Sequence, residues 1–291
     1  MTRARRAALL MLLAGVAGCT DPEPSERGPR EYSRLVSLAP NLTEIVFAAG
    51  AGDALVGVSA YSDFPSEATE LPVVGDAFTV DQERLRLLEP DALLVWESGM
   101  PAHVVDELRR AGFPVEVIRT RGLADVADAL RRIGTITGHD AAAEAAAIAY
   151  LEGLERLRRE YGGGEPIRVF FQVSARPLYT INGSHFISEL IEICGGRNVF
   201  ADVGELAPTV DVEAVVERDP ELLLATDAAG SDAFSEWQRW PDIAANRFGN
   251  HFLVPADEIG RATPRLVAAG KSLCAALEIG RRQRAAIPQT G

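Results

Sequence analysis

The stretch from His139 to Tyr161, HDAAAEAAAIAYLEGLERLRREY, has the sequence of one long helix. Alanine, leucine, glutamate and arginine dominate it, Asp140 is a good N-cap, and three glycines at residues 162–164 end it. At about 1.5 Å per residue the helix spans roughly 30 Å, about the diameter of a domain. Its apolar residues Ile148, Leu151, Leu154 and Leu157 mark one face, which we expect to be buried. Such a helix in the middle of a chain is either a strut between two lobes or an amphipathic helix inside one domain.

The sequence on both sides of this helix favours the strut. Residues 34–138 alternate between short apolar strands and helices, and the alternation restarts after Gly164 and runs through residues 165–280. Ala92–Trp96 is continuously apolar, as expected for a strand in a parallel sheet that is covered on both faces. We therefore predict an α/β protein of two Rossmann-like lobes with parallel sheets, bridged by the helix at residues 139–161. Within the second lobe we expect a helix from His185 to Cys194 capped by Ser184, helices at residues 232–239 and 264–279, and a tail at residues 281–291.

One segment recurs in both halves. VDQERLRLLEPDALLVW in the first half matches VDVEAVVERDPELLLAT in the second, with an acidic cap, a helix, an acid–proline pair and an apolar strand. Glu83 and Glu213 fall at equivalent positions of this match. Ligands of parallel sheets bind at the carboxyl ends of the strands, so two such lobes predict a cleft between them.

The N-terminus has the features of an export signal. Arginines at positions 3, 5 and 6 precede an apolar run, and the run ends in Val16-Ala17-Gly18-Cys19. This ending predicts a lipoprotein signal peptide at residues 1–18, lipidation of Cys19, and a flexible tether of proline and charged residues at 19–33. An exported, lipid-anchored protein is periplasmic or extracytoplasmic, which favours a Cys194–Cys274 disulfide over two free thiols.

The body carries little sign of catalysis. It has no phosphate-binding glycine loop and no nucleophile elbow, its four histidines are dispersed, and we expect neither a catalytic residue nor a metal site. The net charge of −13 and the lack of a basic patch exclude nucleic acid as an expected partner. His185 should lie near the cleft, where a hydrogen-bonded or solvated role is the more common one. Aromatic residues in polar loops, namely Tyr61, Trp96 and Tyr179, instead suit a large, flat, partly apolar ligand.

Four segments resemble a known family: RLVSLAPNLTEIVFAAGAGDALVGVSAYSDFP, ERLRLLEPDALLVW, ICGGRNVF and GRATPRL. Together they resemble the periplasmic cobalamin-binding proteins of ABC importers, which belong to the class III, or helical-backbone, periplasmic binding proteins. The resemblance covers residues 34–279. It implies corrin contacts by Tyr61, Trp96 and Tyr179, polar contacts to the corrin amides by Asp257 and Arg261, and the Cys194–Cys274 disulfide. It also implies that Glu83 and Glu213, one on each lobe, meet arginines of the membrane permease.

The sequence departs from this pattern at two positions. Ala77 and Ala207 stand where the family carries cleft tryptophans, and Phe78 is a candidate replacement for one of them.

Our hypothesis is a monomeric substrate-binding lipoprotein of an ABC importer, with cobalamin or a related corrinoid as the transported ligand and no covalently bound cofactor. Its partners are the permease and the ATPase subunits, and its only membrane contact is the lipid anchor. One alternative is a haem or ferric-siderophore binder of the same class, in which Arg261 and Arg265 hold propionates. A second is an exported α/β hydrolase, which lacks the required elbow and triad.

Overall fold

The computed structural model describes residues 31–287. The predicted signal peptide at residues 1–18, the lipidation site Cys19, most of the predicted tether and the last four residues of the predicted tail lie outside this range. Among the described residues, no helix is long and apolar enough to cross a membrane.

The first lobe is a parallel sheet covered by helices. Its elements are β1 (Leu35–Ser37), α1 (Pro40–Ala48), β2 (Leu55–Val58), α2 (Gln82–Leu88), β3 (Ala92–Trp96), α3 (Ala102–Arg110), β4 (Val115–Ile118) and α4 (Leu123–Thr137), with 3-10 turns at Gly52–Ala54 and Ser66–Glu70. The strand order is β2-β1-β3-β4, and all pairs are parallel. Helix α5 (Asp140–Tyr161) connects the first lobe to the second, and its N-cap residue is His139 rather than the predicted Asp140.

The second lobe repeats this topology. Its elements are β5 (Ile167–Gln172), β6 (Ser174–Ala175), β7 (Leu178–Tyr179), α6 (Phe186–Ile193), β8 (Gly196–Asn198), α7 (Val212–Arg218), β9 (Leu222–Thr226), α8 (Ala244–Phe248), β10 (His251–Val254), α9 (Ala256–Ile259) and α10 (Leu266–Ala286). The parallel order β8-β5-β9-β10 reproduces the order β2-β1-β3-β4, and β6–β7 form a small antiparallel hairpin. The predicted fold class is confirmed.

Helix α2 of the first lobe and helix α7 of the second are held in the same way. An arginine at the start of the lobe, Arg34 or Arg168, donates from Nε to the backbone oxygen of Glu89 or Asp219. These two acceptors are the C-caps of α2 and α7, and both have positive φ angles. The sequence match between the halves therefore reflects a shared local structure.

Helix α5 packs against α4 of the first lobe and against α6 and α10 of the second. Its buried face is formed mainly by Ala143, Ala147, Tyr150, Leu154 and Leu157. Ile148 and Leu151, which we expected on the buried face, are exposed. Ala143 and Ala147 are buried instead because their small side chains let the neighbouring helices approach α5 closely.

Gly153 illustrates how close this approach is. A Cβ built on Gly153 would lie 2.8 Å from a methyl carbon of Val267 on α10. One continuous hydrophobic cluster accordingly runs from β1 of the first lobe through α5 to α10 of the second. The bridging helix is thus part of the core of both lobes, which opposes independent movement of the lobes.

Four predicted boundaries are corrected. Tyr32 and Ser33, the end of the predicted tether, are hydrogen-bonded to Ile136 and Asp91 of the first lobe. Helix α10 continues through the first six residues of the predicted tail, because buried Arg281 donates to the Cys194 carbonyl. The segment at 232–239 contains only a 3-10 turn, at Ser235–Arg239. The residue that caps α6 is His185 rather than Ser184.

The predicted disulfide between Cys194 and Cys274 is present. It joins the C-terminal end of α6 to the middle of α10, across 80 residues of chain. Both cysteines are completely buried. Closing a loop of this length stabilises the folded state by about 4 kcal/mol through the entropy of the unfolded chain.

Candidate functional site

A cavity of about 410 Å³ lies between the two lobes. Residues from both lobes line it: Trp96, Ser98, Thr120, Arg121, Phe171, Val173, Ile181, His185, Phe186, Ile187, Leu206, Thr226, Ala256 and Gly260. Most of them lie at or just after the ends of β3 and β4 of the first sheet, and of β5, β9 and β10 of the second, while His185, Phe186 and Ile187 lie at the start of α6. The cavity therefore sits where parallel sheets bind ligands, outside the carboxyl ends of their strands.

Trp96 is the large aromatic contribution of the first lobe. It is the last residue of β3, and its six-membered ring covers the backbone of Gly99, where a Cβ would approach the ring to 2.1 Å. Its indole Nε1 is buried and has no hydrogen-bond partner among the described residues. The ring thus presents a flat apolar surface, with one donor that the protein leaves unsatisfied.

His185 lines the cavity from the second lobe, where it is the residue before the first turn of α6. Its Nδ1 accepts a hydrogen bond from the backbone N–H of Ile187 at 3.2 Å, so the imidazole itself caps the helix. Its ring lies 4.4 Å from the ring of Phe186, centroid to centroid. Burial lowers the pKa of His185 to about 4, so the side chain is neutral at pH 7.

Arg121 is the one cation among the described residues of the lining, and it shares a carboxylate with Arg119. The Nε of Arg121 donates to Glu97 Oε2 at 2.8 Å, and Arg119 pairs with the same carboxylate. Phenylalanine, isoleucine, valine and leucine form much of the remaining lining. Such a cavity suits a ligand with large apolar faces.

A network of four charged side chains joins the lobes beside this cavity. Arg261 Nη1 lies 2.8 Å from Glu44 Oε1 and 2.6 Å from Asp63 Oδ1, and Arg265 Nη1 lies 3.3 Å from Glu44 Oε1. The arginines belong to the second lobe and the carboxylates to the first. We refer to Glu44, Asp63, Arg261 and Arg265 as the inter-lobe charge network.

The environment of the network makes it strong. The side chain of Glu44 is 2% exposed and that of Arg261 16% exposed, so these charges are poorly solvated and depend on each other. The second oxygen of Glu44 is buried without a partner among the described residues. The hydrogen bond from Arg261 holds the pKa of Asp63 below its usual range.

The network also fixes the loop around Tyr61. Arg261 Nη2 donates to the backbone oxygen of Tyr61 at 3.1 Å, and Tyr61 has a φ of 65°, in the left-handed region. The guanidinium of Arg265 lies 4.3 Å from the ring centre of Phe64. The second lobe thereby holds a loop of the first.

A second contact joins the lobes on the side of the bridging helix. Glu189 of α6 accepts a hydrogen bond from the backbone N–H of Leu123, the first residue of α4, at 2.9 Å. The carboxylate also faces the positive end of that helix. The lobes are therefore held together at two points besides the shared helix.

Of the six predicted ligand contacts, only Trp96 lines the cavity. Tyr61 and Phe78 are 80% and 76% exposed, and Tyr179, Asp257 and Arg261 also lie outside the lining. Leu206 lines the cavity beside Ala207, one of the positions where a tryptophan was expected.

Sequence reasoning missed most of the second lobe's contribution, which is Phe171, Val173, Ile181, Phe186, Ile187 and Leu206. These residues look like ordinary strand and helix core in the sequence. Their position in the sequence could have identified two of them, because Phe171 and Val173 lie at the carboxyl end of β5, where ligands of parallel sheets bind. Among residues 31–287, no group of three or more His, Cys, Asp or Glu side chains is arranged to hold a metal ion.

Two α/β lobes with a ligand cavity between them define a two-lobed substrate-binding protein. The profile of the family described as periplasmic binding protein matches residues 35–257, and the chain belongs to this family. Its solved relatives are class III binding proteins. Family membership makes it a binding protein of ABC transport rather than an enzyme, as predicted, and implies a periplasmic location, a permease partner and a small-molecule ligand.

The comparisons with individual proteins cover nearly the whole chain. The vitamin B12-binding protein of Vibrio cholerae serotype O1 is 34% identical over 256 residues, which is 88% of this chain and 92% of the relative. The crystal structure of the periplasmic vitamin B12 binding protein BtuF of Vibrio cholerae aligns with a TM-score of 0.79 and 33% identity, covering 87% of this chain and 100% of that one. The periplasmic heme-binding protein RhuT from Roseiflexus sp. RS-1 shares the fold, with a TM-score of 0.75, 23% identity, and coverage of 86% and 99%.

The inter-lobe charge network generates a stability prediction. Glu44→Ala leaves Arg261 and Arg265 poorly solvated and short of a partner, so we expect it to lower the free energy of unfolding by about 3–5 kcal/mol. Asp63→Asn, at a carboxylate that is 55% exposed, should cost about 1 kcal/mol or less. Urea unfolding of the two variants measures both values, and equal losses would contradict the dominant role of Glu44.

Proposed function

We propose that this chain captures cobalamin or a related corrinoid in the cavity between its lobes and delivers it to the permease of an ABC importer. The observation that carries the proposal is the cavity itself, which is mostly apolar, is lined by Trp96 and lies at the carboxyl ends of two parallel sheets. Similarity to vitamin B12-binding proteins over most of the chain supports the same ligand.

The chemistry of the lining agrees with a corrinoid. A corrin has broad apolar faces and a rim of amide groups, and cyanocobalamin carries no net charge. Indole and phenyl side chains suit the faces, and the hydroxyl-bearing residues Ser98, Thr120 and Thr226 of the lining suit the amides. The inter-lobe charge network, with two carboxylates and two guanidinium groups, carries no net charge.

The same charge balance argues against haem and ferric siderophores. Haem carries two propionates, which require cations, and many siderophore complexes are also anionic. Arg261 and Arg265 are already paired with Glu44, and Arg261 also with Asp63. An anionic ligand that bound these arginines would have to displace Glu44, whose side chain is 2% exposed, at the cost of leaving a buried charge without its partner.

Tyr61, Phe78, Tyr179, Asp257 and Arg261 remain proposed contacts of the bound corrinoid. A corrinoid is large, and the exposed rings of Tyr61 and Phe78 are available to the part of it that extends beyond the cavity. Arg261 and Asp257 follow the cavity-lining residues Gly260 and Ala256 along the chain. Contact with amides by these two residues is compatible with an Arg261 that keeps its carboxylate partners.

The ligand is tested by titrating the purified protein with cyanocobalamin, haemin and a ferric siderophore. We expect a dissociation constant of about 1 µM or tighter for cyanocobalamin alone. Trp96→Ala should weaken this binding about tenfold or more, because the largest apolar surface is lost. Ile148→Ala, at an exposed position of α5, is the matched control. Tight haemin binding without cobalamin binding would overturn the proposal.

Delivery is proposed to use Glu83 and Glu213. Both are exposed, and each lies in the first turn of its helix, α2 in one lobe and α7 in the other. The equivalent positions in two lobes of the same topology present one carboxylate on each lobe, which suits a permease with two related halves. Exposed charges of this kind set the register of a complex more than its affinity.

Charge reversal tests the docking role. Glu83→Arg combined with Glu213→Arg should abolish cobalamin uptake by cells while leaving the affinity for cyanocobalamin unchanged, since neither residue lines the cavity. A matched pair at exposed sites elsewhere, Glu107→Arg with Glu152→Arg, should leave uptake intact. Normal uptake by the first pair would refute the assignment.

We also propose that the chain works as a monomer with a lipid on Cys19, alongside the permease and its ATPase subunits. The arginines, the apolar run and the Val-Ala-Gly-Cys ending of the N-terminal sequence support the anchor. Membrane-purified protein should begin at Cys19 and carry the added mass of acyl chains, and Cys19→Ser should lose that mass. An unmodified Cys19 by mass spectrometry would disprove the anchor.

A further inference from the structure

We infer that His185 contacts the ligand, and that its Nε2–H donates a hydrogen bond to an acceptor on the corrinoid, such as a side-chain amide oxygen. This inference rests on the proposed function and adds to it a specificity-determining residue. The atom that recognises the ligand is Nε2, in a neutral imidazole that carries its proton there.

The tautomer follows from the helix cap. Nδ1 accepts the backbone N–H of Ile187 at 3.2 Å and must therefore carry a lone pair. In a neutral imidazole the proton then resides on Nε2, which becomes a donor. Burial keeps the ring neutral, since it lowers the pKa of His185 to about 4.

The position of the ring supplies the second observation. His185 is one of the residues that line the cavity, and its ring is held against Phe186 at the start of α6. Within residues 31–287, Nε2 has no hydrogen-bond partner. A donor in a largely apolar cavity gains most from an acceptor that arrives with the ligand.

The same geometry excludes a coordination role. An axial bond to cobalt or iron needs a lone pair on Nε2, and the neutral ring could offer one only by moving its proton to Nδ1. That change would break the hydrogen bond that caps α6. His185 is therefore suited to donate to an amide oxygen and unsuited to ligate a metal.

The test separates the ligand contact from the cap. His185→Ser keeps a good N-cap residue and removes the imidazole from the cavity. We expect the dissociation constant for cyanocobalamin to rise about 3- to 10-fold, as for one lost hydrogen bond, with a small decrease in the thermal midpoint of unfolding because the contact with Phe186 is lost. His103→Ser, at an exposed histidine of α3, is the control and should leave both values unchanged.

A spectroscopic measurement tests the tautomer. Aquocobalamin exchanges its water for an accessible imidazole, with a shift of its visible absorption bands. We expect the bands of protein-bound aquocobalamin to be the same in the wild type and in His185→Ser. An imidazole-type spectrum that disappears in the variant would overturn the donor assignment.

The outcomes of the titration are distinct. Wild-type affinity in His185→Ser would overturn this inference and leave the proposed function standing. Failure of the wild-type chain to bind cyanocobalamin would overturn both.

Discussion

The buried attraction between Glu44 and the guanidinium groups of Arg261 and Arg265 is the interaction on which the arrangement of the lobes depends most. These residues are 217 and 221 positions apart in the chain, and they meet only when both lobes are folded and docked. Because Glu44 is almost completely buried, its charge requires this pairing. The network then fixes the Tyr61 loop through the Tyr61 carbonyl.

The bridging helix and the network restrain the lobes in complementary ways. Helix α5 shares one hydrophobic cluster with both lobes and is packed closely enough that Gly153 leaves no room for a side chain. Glu189 ties α6 to the start of α4, and the disulfide ties α6 to α10. The shared helix, the inter-lobe charge network and the Glu189 hydrogen bond all restrain movement of the lobes. We therefore expect the cavity to be preformed, without a large closure of the lobes around the ligand. Preformed sites avoid part of the ordering cost of binding.

Much of the fold could be predicted because its signals are local. The bounds of α2 and its Asp81 cap follow from a short stretch of sequence, as do α4 and the apolar strand at Ala92–Trp96. The buried face of α5 was mispredicted at Ile148 and Leu151, since hydrophobicity alone does not reveal that Ala143 and Ala147 allow close helix packing. The site was harder still. Trp96 could be identified from its place at a strand end, whereas the pairing of Arg261 with Glu44 depends on how two distant segments dock. His185 caps α6 with its imidazole, and this depends on an orientation of the ring that cannot be predicted from the sequence.

A crystal structure of the protein with cyanocobalamin would show whether a neutral corrinoid binds between the lobes while the inter-lobe charge network stays intact. We expect a corrin ring against Trp96, with His185 Nε2 within hydrogen-bonding distance of a ligand oxygen and Arg261 still paired with Glu44. A corrin bound outside the cavity, or an Arg261 withdrawn from Glu44 to bind the ligand, would contradict this expectation.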